Sequence, residues 1–118
     1  MAVGAERLVG LVRSLTSTDP ADREAACGTI TDWISSFSRY EVRILGMLLV
    51  TLAGVEGNSV LRESELHALQ ELGDTGGLDF DTLEPIRLLE RRHLGASELE
   101  YVEYLSEEYL GRPDTVGP

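Results

Sequence analysis

From Tyr40 to Glu56 the chain is almost continuously apolar, and this run limits what the sequence can fold into more than any other feature. Read from Val42, it passes through Ile44, Leu45, Met47, Leu48, Leu49, Val50, Leu52, Ala53 and Val55, with no polar stripe recurring at a helical period. A helix that is apolar nearly all round is a buried helix. The run is shorter than the ~20 apolar residues a bilayer span needs, and it carries Arg43. It therefore calls for protein on most sides, and the other segments are expected to wrap it.

The chain has 118 residues, one domain's worth, and residues 1–111 are expected to form a single all-α unit with 112–118 as a disordered tail. Its formal net charge is −11. Such acidity repels phosphate backbones, so nucleic acid is not an expected partner. All the basic side chains are arginines, which excludes lysine Schiff-base chemistry; with the Ala, Gly, Leu and Glu richness, this composition points to a high-GC bacterial coding sequence. No signal-like series opens the chain, and its one cysteine, Cys27, allows no internal disulfide, so a cytoplasmic location without membrane contact is expected.

Six helices can be read in order. Leu8, Leu11, Val12 and Leu15 mark the apolar stripe of the first, over Glu6–Thr16. Asp19 and Pro20 start the second, which should run to about Phe37 on a face of Ala26, Ile30, Trp33, Ile34 and Phe37. The buried run is the third, with Gly46 and Gly54 allowing close packing. Asn58 and Ser59 open the fourth, and Gly73 ends it. A fifth begins between Asp79 and Pro85 and reaches His93, while Ser97 and Glu100 form a capping box for the sixth, which lasts until Gly111.

The second and fourth helices share a pattern at a shift of about forty residues: Asp19 falls on Asn58, Arg23 on Arg62, Glu24 on Glu63 and Ile30 on Leu69. An aspartate at the turn, an arginine shortly after, a small residue and then a leucine-type position resemble HEAT or armadillo-like repeats. That resemblance implies three antiparallel helical pairs in a right-handed α-α superhelix; an irregular six-helix bundle is the alternative. It also implies that Arg23 and Arg62 are structural, each tying one helical layer to the next.

Candidate chemistry is sparse. Glu63, His67 and Glu71 share a helical face, and Glu90 and His93 stand at i, i+3, but a di-iron site needs a second such pair and further inward glutamates. Asp74-Thr75-Gly76 spells an aspartic-protease tripeptide, yet here it joins two helices rather than strands. No enzyme activity, cofactor or metal is expected. What remains is surface: Asp22, Asp32, Glu63, Glu71, Glu100 and Glu108, with Tyr101 and Tyr104, are the expected contact residues for a basic protein partner. The expected role is a non-catalytic interaction module, analogous to acidic immunity or antitoxin-like inhibitors. A self-associating scaffold using an apolar flank of the third helix is the alternative.

Overall fold

Side chains that accept the free N–H groups of a first turn set where four of the helices begin. Asp19 accepts from Ala21 N (2.9 Å), Ser38 from Glu41 N (3.1 Å), Asn58 from Val60 N (3.0 Å) and Asp79 from Thr82 N (3.0 Å). In the computed structural model, which describes residues 2–111, the helices are α1 (Ala5–Leu15), α2 (Pro20–Asp32), α3 (Arg39–Val55), α4 (Ser59–Asp74), α5 (Phe80–Leu83) and α6 (Ala96–Leu105). No strand occurs among the described residues, so the all-α reading holds. The proposed tail, 112–118, lies outside the described residues.

Several expected boundaries move. α2 stops at Asp32, and a 3₁₀ turn, Ile34–Ser36, follows it. Ser38 belongs to the next helix: with Glu41 it forms a capping box, and the Glu41 carboxylate also accepts the N–H groups of Val3 and Gly4, both at 3.0 Å. The fifth helix does not reach His93. Pro85 has no N–H to offer the carbonyl of Asp81, and the chain continues as 3₁₀ turns at Glu84–Leu88 and Arg91–His93. Nor is Ser97 the cap of α6: the cap is Gly95, whose N–H donates to Glu98 Oε1 at 2.8 Å, and Glu98 faces inward. A π turn, Ser106–Leu110, completes that helix.

The central position belongs to α4 rather than α3. α4 packs on α2, α3 and α6, and its Leu66, Ala68, Leu69 and Leu72 are fully buried. α3 packs on α1, α4, α5 and the 3₁₀ turn after it, and buries Val42, Leu45, Leu49, Val50 and Ala53. Its opposite side stays bare, with Tyr40 72% exposed, Met47 56% and Val55 77%. Gly46 does serve close packing, because a Cβ there would lie 2.5 Å from Leu78 Cδ2, but nothing approaches Gly54 within 4 Å. Gly73 lies inside α4, not beyond its end, and makes room for Tyr109, whose hydroxyl donates to the Gly73 carbonyl at 2.6 Å.

Candidate partner-binding surface

The two arginines of the shared pattern occupy matching positions. Arg23, one turn into α2, donates Nη1 to the carbonyl of Ser17, six residues back (2.8 Å), and pairs through Nε and Nη2 with the carboxylate of Glu56 (both 3.2 Å). Arg62, one turn into α4, donates to the carbonyl of Glu56, again six residues back, and to Glu98 Oε2 at 2.9 Å. Both pairs are largely shielded from water. Each guanidinium thus fastens the start of its own helix to a glutamate more than thirty residues further along the chain.

That second joint fixes α6 against α4 and sets the geometry of the surface between them. Glu63 and Gln70 from α4 face Ser97, Glu100, Tyr101, Glu103, Tyr104 and Glu107 across an open cavity of about 630 Å³. No cationic side chain lines it. At one edge the Tyr101 hydroxyl lies 3.0 Å from His67 Nδ1, the two rings meeting edge-to-face at 5.7 Å and 71°. At the other end the Tyr104 hydroxyl donates to Asp74 Oδ1 at 3.2 Å.

Both phenols are harder to ionise than an ordinary tyrosine. Burial and then the charges of Glu63, Glu100 and Glu71 raise the Tyr101 pKa, while the hydrogen bond to Asp74, that residue's charge, partial burial and Glu108 raise that of Tyr104. Neutral phenols retain an O–H to donate and a flat apolar face, an amphipathic contact of low entropy cost.

No family model, curated protein or solved structure matches this chain.

The expected contact residues divide. Glu63, Glu100, Tyr101 and Tyr104 line the trough, with Glu71 close enough to bear on Tyr101 and Glu108 on Tyr104. Asp22 and Asp32 do not line it. Asp22 accepts from Ser17 Oγ at 2.7 Å in the first turn of α2, and Asp32 is the last residue of that helix. Glu103 and Glu107 were not anticipated, although i, i+3 and i+7 steps from Glu100 place them on its stripe. Among the described residues no group of three or more His, Cys, Asp or Glu side chains is arranged to hold a metal. His93 lies in an exposed 3₁₀ turn and His67 is engaged with Tyr101.

Proposed function

We propose that this chain is a non-catalytic protein-binding module, built on HEAT-like helical pairs, that receives a basic segment of a partner in the trough between α4 and α6. One observation carries the reading: four carboxylates and two tyrosines line a single open cavity with no cationic side chain among its lining residues, and only Glu103 has an arginine nearby. Carboxylates steer an arginine- or lysine-bearing segment into place, and the tyrosine rings then exclude water at contact. The recurrence of the arginine joint at Arg23 and Arg62 supports the repeat resemblance, and an acidic inhibitor of a basic effector is the most concrete form of the role. NMR titration with an arginine-rich amphipathic peptide tests it. Shift changes confined to α4 and α6, weakened by salt and abolished by Glu63→Gln with Glu100→Gln, are expected. Equal changes along α1 and α2 would refute it.

The bare side of α3 favours a second reading, self-association. Tyr40, Arg43, Ile44 and Met47 border a cavity of about 510 Å³ against Gly76–Asp79. Sedimentation at several concentrations separates the two: only self-association gives a mass that rises with concentration and is reset by Met47→Glu.

A further inference from the structure

Glu65 lies in the middle of α4 with 0% exposure, and no N–H or hydroxyl group among the described residues donates to either of its carboxylate oxygens. An ionised carboxylate left unpaired in such a place is too costly to persist. The group beside it is another carboxylate, Glu56, the residue at which the two arginine joints meet. Glu56 already accepts Arg23 Nε and Nη2 and the N–H of Asn58, each at 3.2 Å. Two carboxyl groups bond to each other only when one carries a proton. Arg23 and Asn58 donate to Glu56 while none of the described donors reaches Glu65, so the proton resides on Glu65.

We propose that Glu65 and Glu56 share one proton where α2, α4 and the end of α3 meet, and that this proton is a latch: held, it keeps the seam closed, and lost, it lets the seam open to water. The charged and titratable groups around it are Arg23, Glu24 and Cys27 of α2, Glu56 at the end of α3, and Arg62 of α4, which leads on to Glu98 of α6. Burial, then the hydrogen bond and charge of Glu56, push the Glu65 carboxyl up to about 8, against the opposing pull of Arg23 and Arg62. For Glu56 burial works upward as well, but the Arg23 guanidinium, the Glu65 proton and the Asn58 N–H together hold it below the usual carboxylate range. The pair is thus split into one acid and one carboxylate, and the acid titrates close to neutrality.

In the open seam a solvated Glu65 returns to its ordinary acidity. Between that value and about 8, each pH unit then favours opening about tenfold, and above about 8 there is no further change. None of this depends on the trough, so it stands or falls separately from partner binding.

Cys27, the single cysteine, is buried on α2 near Glu65 and serves as a native reporter. Its labelling by a neutral thiol reagent is measured across this range and divided, at each pH, by the rate for the same chain in denaturant, which cancels the intrinsic thiolate fraction. The corrected rate should rise about tenfold per unit from about pH 6 and level off above about pH 8. In Glu65→Gln, whose amide donates to Glu56 at every pH, it should be flat. A flat wild-type profile, or the same rise in the variant, overturns the latch. Should the variant not fold, the wild-type infrared band of a neutral carboxyl decides: presence at neutral pH and loss in alkali support the proposal, and absence at neutral pH overturns it.

Discussion

Replacing Arg62 by methionine tests the joint on which the α4–α6 trough depends. The pair it forms with Glu98 is 2.9 Å long, with side chains 15% and 5% exposed, and the same guanidinium satisfies the Glu56 carbonyl. Methionine keeps much of the apolar stem but strands the Glu98 carboxylate and frees that carbonyl. Breaking a buried pair from one side costs about 3–5 kcal/mol. The lower end applies here, because Glu98 keeps its bond from Gly95 N–H at a helix end whose first residues are exposed. A loss of about 3 kcal/mol lowers the melting temperature by roughly 12 °C for a chain of 118 residues. Urea unfolding followed by Trp33, the single tryptophan, reads the loss directly. Adding Glu98→Leu to Arg62→Met should recover about half of it, since the stranded charge is then gone. The control is Arg92→Met: its pair with Glu90 is also 2.9 Å, but at 78% and 58% exposure it should cost less than about 1 kcal/mol. If Arg62→Met costs no more than that control, or Glu98→Leu recovers nothing, the joint does not hold α6.

Three further outcomes follow from particular contacts. Because the folded Glu65 pKa is raised from 4.5 to about 8, the folded state holds the extra proton between those values, so its stability is full below about 4.5 and declines by up to about 1.4 kcal/mol per pH unit until about 8; Glu65→Gln should flatten a denaturation series over that range. Glu41 has the opposite sign: burial works upward, but the N–H groups of Ser38, Val3 and Gly4 outweigh it and lower the pKa, so its contribution is present above 4.5 and lost as pH falls through the depressed folded value, an acid-side loss that Glu41→Gln should remove from circular-dichroism titrations. Gly73→Ala places a Cβ 2.6 Å from the Tyr109 hydroxyl and should cost about 1–3 kcal/mol in urea unfolding, with a smaller cost in a Tyr109→Phe background where that oxygen is absent.

What the sequence made legible was periodicity and caps. Asp19 and Asn58 cap the helices they precede, and the apolar stripes of α1 and α2 face the core because spacing alone dictates which side is greasy. The central helix was hidden by its charges. α4 carries Arg62 and Glu65, polar letters that suggest a solvated face, yet Arg62 turns inward to a carboxylate thirty-six residues away and Glu65 is buried outright. α3, with hardly a polar letter, leaves Tyr40, Met47 and Val55 in water. Hydrophobic pattern reports what burial requires, whereas these long-range pairings decide which polar groups burial tolerates. The same limit applied at the trough: Glu98 accepts the Gly95 N–H three residues back and pairs with Arg62 inside, whereas Glu100, Glu103 and Glu107 line the trough.

The absence of lysine acquires a physical meaning in these joints. Arg62 must reach a carbonyl six residues back and a carboxylate thirty-six ahead at once, and Arg23 a carbonyl and both oxygens of Glu56. A guanidinium presents five N–H groups in a rigid fork, whereas an ammonium is a compact, strongly hydrated point charge that loses more on burial. Elsewhere arginine is again engaged within the chain, with Arg43 on Asp79, Arg91 on Glu103, Arg7 over Trp33 and Arg87 over Phe80. Among the described residues, no arginine pairs with Glu63, Glu100 or Glu107. The fold thus spends much of its positive charge on its own carboxylates and rings, and of the four glutamates lining the trough between α4 and α6 only Glu103 has an arginine beside it.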